Sequence, residues 1–116
     1  MKSDRAPMRM HGADAYIRSL AMEPGAWITS ETAENAIGLL RFLRGRVSSL
    51  GLPVIGPAID ASIGFTWRNS RYYVNVRIDS AGEVEFYFED IQSGQLWSDE
   101  GRHASEGMLA RLRLAS

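Results

Sequence analysis

The sequence predicts an α+β domain, with one long helix packed on one face of an antiparallel meander of three or four strands and short helices flanking it at both ends. Three observations carry this. Apolar residues recur at steps of three and four between 30 and 50, the period changes to two between 63 and 89, and turn-forming residues interrupt that alternation at 69–70 and 79–82. A chain of 116 residues has room for one such domain.

Residues 1–12 are expected to form a flexible tail, leaving 13–116 as the folded domain. Tyr16, Ile17, Leu20 and Ala21 then mark one face of a short helix, which Glu23-Pro24-Gly25 stops. Thr29 or Ser30 supplies the N-cap of the long helix, and Glu31 and Glu34 suit the positive end of its dipole. Its apolar stripe is Ala33, Ala36, Ile37, Leu40, Leu43, Val47 and Leu50, with Arg41, Arg44 and Ser48 elsewhere on the surface. Gly51 is the expected left-handed cap, and Pro53 prevents continuation. From 52 to 60, Pro53, Gly56 and Pro57 among Leu52, Val54, Ile55 and Ile59 suggest an extended crossover pinned to the core.

Three half-buried strands follow. Ile63, Phe65 and Trp67 alternate with polar or small residues, as do Tyr72, Val74, Val76 and Ile78, and then Val84, Phe86 and Phe88. A two-residue turn at Asn69-Ser70 would pair Trp67 with Tyr72, Phe65 with Val74 and Ile63 with Val76. Asp79-Ser80-Ala81-Gly82 fits a type I turn followed by a left-handed glycine, which pairs Ile78 with Val84, Val76 with Phe86 and Val74 with Phe88. The outer rows are then Ser62, Arg77 and Glu85; Gly64, Asn75 and Tyr87; and Thr66, Tyr73 and Glu89. Gln95-Leu96-Trp97-Ser98 is a candidate fourth strand whose register is open, so Trp97 can face either way. Ser105 caps a terminal helix that buries Met108, Leu109 and Leu112.

Composition narrows the function. Thirteen Lys and Arg against fourteen Asp and Glu remove the uniform basic field that drives most nucleic-acid binding. Without cysteine there is no disulfide, thiolate metal site or cysteine nucleophile. No segment approaches the ~18 apolar residues of a membrane span, and residues 1–13 hold no signal-peptide core, so a cytoplasmic soluble protein is expected. His11 and His103 are the only histidines and have no ligand spacing; no serine sits in a nucleophile elbow and no glycine pattern matches a phosphate loop. The expectation is a protein without catalytic residues, cofactor or metal. Glu83, Glu85 and Glu89 share a strand face, as an acid and base pair would, but also as exposed solubilising residues do.

Charge is segregated along the chain. Half of the acids, Asp79, Glu83, Glu85, Glu89, Asp90, Asp99 and Glu100, lie between Arg77 and Arg102 with no Lys or Arg among them. Six arginines, 41, 44, 46, 68, 71 and 77, share the stretch 35–78 with a single acid, Asp60. Solvent-facing aromatics supply contact area and acids steer a basic partner, so the expected binding set is Tyr73, Glu83, Glu85, Tyr87, Glu89, Asp90 and Trp97. The alternative is that these aromatics cover the sheet, or pack against the N-terminal helix or another copy of the chain in a homodimer. Two rival functions use other residues: a nucleic-acid or regulatory module on Arg41, Arg44 and Arg46, and a small enzyme whose pocket gathers Asp60, His103 or the strand carboxylates.

Pro53, Pro57, Asp60, Ile63, Phe65 and Trp67, followed by Gly82 and the run Phe86-Tyr87-Phe88, resemble a group of small, mostly uncharacterised bacterial proteins in which a helix leads through a Pro-rich crossover into a three-stranded meander. That group has an Asp-Gly step before the first strand where this chain has Asp60-Ala61. It is associated with mobile elements and toxin-linked loci, so the resemblance implies interaction rather than catalysis. The expected function is an immunity- or antitoxin-type inhibitor that covers a basic, nuclease-like toxin domain with the acidic aromatic sheet face.

Overall fold

Alternating strand residues need a partner for one face only, and the computed structural model, which describes residues 10–116, supplies it with three helices on one side of a five-stranded sheet. The protein is α+β, in the order α1 (Met10–Met22), α2 (Ser30–Arg46), β1 (Val54–Pro57), β2 (Ile63–Arg68), β3 (Tyr72–Ile78), β4 (Val84–Asp90), β5 (Leu96–Gly101) and α3 (Glu106–Ala115). Strand order in space follows the chain, and every pair is antiparallel. Of the tail expected at 1–12, residues 1–9 lie outside the described residues, and the last three open α1. Among the described residues no helix is long and apolar enough to cross a membrane.

The long helix forms as its caps and stripe dictate. Thr29 is the N-cap, its side-chain oxygen accepting the Thr32 N–H, and Ala33, Ala36, Ile37, Leu40 and Leu43 are buried. Complete burial of a leucine such as Leu40 contributes about 1.5–3 kcal/mol. The helix ends at Arg46 rather than at Leu50. Val47 leaves helical geometry as the C-cap, so Gly51 does not act as a left-handed cap, although Val47 and Leu50 remain in the core. Helix α1 lies antiparallel to α2, with buried Asp14 against Arg41 and Arg18 donating to Glu34 at 2.9 Å. Tyr16, expected inward, is exposed; Ala13 and Ile17 make the contact.

The crossover is a strand. Val54, Ile55, Gly56 and Pro57 pair with Thr66, Phe65, Gly64 and Ile63, which makes five strands where three or four were expected. Prolines at 53 and 57 had pointed to a connector, but an edge strand tolerates proline wherever the missing N–H faces away from the neighbour. The turn into β2 puts Ala61 at φ 70°, the only non-glycine residue with positive φ among the described residues.

The β2–β3 register is shifted by two residues from expectation: Trp67 pairs with Val74, Phe65 with Val76 and Ile63 with Ile78. Asn69 is not inside the loop but at its first flank, where its Oδ1 accepts from the Arg71 and Tyr72 N–H groups at 2.9 and 2.7 Å and leaves Ser70-Arg71 as the loop. A slip of two preserves parity, so the expected inward residues stay inward. The β3–β4 register is as expected, Ile78 opposite Val84 and Arg77 opposite Glu85, with Gly82 at φ 82°. Asp79 Oδ1 holds that turn through the N–H groups of Ala81 and Glu83.

Helix α3, capped by Ser105, crosses the inner face and buries Met108, Leu109, Leu112 and Ala115. Trp67, buried beneath, donates its indole N–H to the Gly51 carbonyl at 2.8 Å. The Asp60-Ala61 step yields a stability prediction. Left-handed geometry costs an alanine more than a glycine, so Ala61→Gly is expected to stabilise the fold by about 0.5–1 kcal/mol in urea denaturation.

Candidate protein-binding face

Because all three helices lie against the inner residues, the other side of the sheet is uncovered by any described element, and none of its side chains is buried. Its rows run Gly64, Arg77, Glu85, Glu100; Thr66, Asn75, Tyr87, Ser98; and Arg68, Tyr73, Glu89, Leu96. Four of the expected binding residues, Tyr73, Glu85, Tyr87 and Glu89, stand together there.

The two tyrosines meet edge to face, with ring centroids 6.0 Å apart. The Tyr87 hydroxyl donates to Glu89 Oε1 at 3.4 Å, and partial desolvation by its neighbours, seconded by the Glu89 carboxylate, pushes the Tyr87 phenol up. Asn75 donates to Thr66 Oγ1 at 3.0 Å, and Arg77 to Glu85 Oε1 at 2.6 Å. That last pair is half exposed and contributes about 0.2–1 kcal/mol. Beside it a shallow depression of about 480 Å³ is lined by Asn75, Arg77, Glu85, Tyr87, Ser98 and Glu100.

Sequence reasoning missed Leu96, Ser98 and Glu100, because nothing in the chain pinned the register of β5. With Glu85 opposite Glu100, two like charges face each other across β4 and β5, an arrangement that costs stability on its own. The face is also polarised: Arg68 and Arg77 belong to β2 and β3, while Glu85, Glu89 and Glu100 belong to β4 and β5.

Three expected members of the set lie elsewhere. Trp97 pairs with Phe88 on the inner face, packs edge-on to Phe86 at 5.7 Å, and lies under the Arg111 guanidinium, 3.8 Å from its ring centroid. Gly107 permits this, since a Cβ there would come within 3.1 Å of the indole. Asp90 is also on the inner side and buried. Its carboxylate receives Arg71 Nη2 at 3.0 Å and the Gln92 N–H at 3.1 Å, tying the β2–β3 turn to the β4–β5 turn. Arg71 above all holds that carboxyl down at about 2, despite its burial. Glu83 stands at the β3–β4 turn with Oε2 buried and without a hydrogen-bond partner.

The residues of the two rival readings are dispersed. Arg41 pairs with Asp14, Arg44 donates to the Leu50 carbonyl at 3.2 Å, and Arg46 pairs with Glu106 at 3.0 Å. Asp60 is exposed and accepts from the Ser62 hydroxyl of its own loop, which is the first cause lowering its carboxyl, with Arg77 3.7 Å away. His103 lines a different groove, between α2 and the end of the sheet. Among the described residues no three His, Asp or Glu side chains converge as a metal site. No family model matches the chain, and neither does any curated protein or solved structure.

The Asp90 corner predicts an acid-sensitive stability. Its folded carboxyl titrates below the ordinary 3.8, at about 2. The stabilisation is therefore complete above about pH 5 and disappears as pH falls from about 4 to 2. Urea midpoints across that range should drop in the wild type beyond the common acid trend. In Asp90→Asn the midpoint should be lower at neutral pH and this extra drop absent.

Proposed function

We propose that this is a small cytoplasmic protein-binding module, an immunity- or antitoxin-type inhibitor that covers the active site of a basic, nuclease-like toxin domain with its acidic aromatic sheet face. The observation that carries the reading is the open outer face, where Tyr73 and Tyr87 lie in contact beside the carboxylates of β4 and β5 and a shallow depression. Each part has a physical role. Tyrosines bury large area at small entropic cost, which makes them anchors. Carboxylates raise the encounter rate with a cationic surface and reject acidic ones. A nuclease needs cationic groups for the phosphate backbone, and the same groups attract this face.

Glu85 and Glu100, forced opposite each other, favour any partner that places a cation between them. Association with a basic partner captured from the host should be fast at low salt and slow as salt rises. Charge reversal of Glu85 and Glu89 to lysine should reduce the association rate about tenfold or more and flatten its salt dependence. Stopped-flow kinetics across an ionic-strength series measure both; unchanged rates would remove this face from the interaction.

A further inference from the structure

The two edges of the sheet are not equivalent. In an antiparallel ladder the backbone groups of successive residues point alternately to the two sides of the strand. The Ala58 N–H donates to the Ser62 carbonyl, so on β1 the even residues face β2 and the odd residues face outward. The outward positions are thus Pro53, Ile55 and Pro57, and two of these three have no N–H to offer. Edge prolines close a strand to further pairing.

At the opposite edge the Asp90 N–H donates to the Gln95 carbonyl, so Gln95, Trp97, Asp99 and Gly101 face β4, and Leu96, Ser98 and Glu100 face outward. The Glu100 N–H is taken by Asp99 Oδ1 at 2.9 Å. The N–H and C=O groups of Leu96 and Ser98 have no partner among the described residues. All three outward residues are exposed, Leu96 at 62% of its surface. Helix α3 reaches the strand from the inner side, through Gly107 and Arg111 on Trp97 and through Ser105 on Asp99, and leaves the edge clear.

We propose that β5 is a docking edge on which an extended, basic segment of a partner protein adds as a sixth strand. Unpaired backbone groups at Leu96 and Ser98 give the main-chain bonds of such an addition, and alternate side chains give its specificity. The chemistry of the segment follows from its neighbours: an apolar residue beside Leu96 and a cation beside Glu100, where it also offsets the repulsion from Glu85. A second copy of this chain fits poorly, because two β5 strands side by side line one seam with four carboxylates, Asp99 and Glu100 of each copy, and no Lys or Arg on either strand. The inference rests on the protein-binding reading above and specifies its mode, placing the incoming strand next to the depression over Tyr87 and Glu100.

The test uses the full chain and a blocked hexapeptide of threonine with lysine at position 1 and valine at position 5, which antiparallel addition sets on one face beside Glu100 and Leu96, with two controls: glutamate in place of lysine, and backbone N-methylation at positions 1, 3 and 5, whose N–H groups face β5. The lysine peptide should slow amide exchange of Leu96 and Ser98 about tenfold or more in NMR spectra, and neither control should. Ser98→Pro should weaken binding about tenfold or more while leaving the fold intact, since the N–H it removes points away from β4. A double variant, Tyr73→Ala with Tyr87→Ala, tests the face separately. If Ser98→Pro binds a captured basic partner as tightly as wild type while the tyrosine variant loses it, the edge is overturned and the face reading stands. If neither variant loses the partner, both readings fail. Peptide binding unaffected by N-methylation, no protection at millimolar peptide, or a wild-type dimer that Ser98→Pro dissociates each overturns the edge proposal.

Discussion

Each of the four connections between neighbouring strands is held by an Asp or Asn side chain that accepts the backbone N–H two residues on: Asp60 from Ser62, Asn69 from Arg71, Asp79 from Ala81 and Asp90 from Gln92. Such a side chain imitates a backbone turn and fixes where the chain reverses. Where the chain reverses determines register, and register determines which parity of residues is buried. With all four turns set, Ile63, Phe65, Val74, Val76, Val84 and Phe86 lie on one face, and α2 and α3 cover them. The remainder of the molecule follows from that single sidedness.

A sheet covered on one side leaves a wet face and two edges, and this chain treats each differently. Prolines close the β1 edge, whereas β5 keeps paired-strand geometry with open backbone groups. The wet face gathers Tyr73 and Tyr87 with Glu85, Glu89 and Glu100 across β3 to β5, on the side of that open edge. Folding alone does not require this arrangement, and the opposed Glu85 and Glu100 work against it. A surface that carries such a cost, aromatic contact area and free strand geometry in one place is suited to recognition.

Charge clustering in sequence separated into different roles in space. The arginines of α2 brace α1, the segment after the helix and α3, through Asp14, the Leu50 carbonyl and Glu106. Arg71 and Asp90, nineteen residues apart, meet at a corner that joins two turns. Glu85, Glu89 and Glu100 stay on the surface because alternation puts them on the side opposite the inward residues of the same strands.

What the chain determined by itself is the part that depends on near neighbours: the stripe and N-cap of α2, the alternation of β2 to β4, the Asp79 turn, and from these the grouping of Tyr73, Glu85, Tyr87 and Glu89. That grouping depends on the β3–β4 register alone, and the two-residue shift at Asn69 leaves the residues of β2 on their expected faces because face membership has a period of two. What only the tertiary structure decided depends on groups brought from afar. The segment 54–57 is a strand because β2 offers it a ladder, and Trp97 turns inward because Phe86, Gly107 and Arg111 meet it there. Asp90 serves the fold rather than a partner because Arg71 arrives beside it. Periodicity records the demand of each residue for one face or the other, but hydrogen-bond and ion-pair partners are chosen in three dimensions, and no local pattern carries that information.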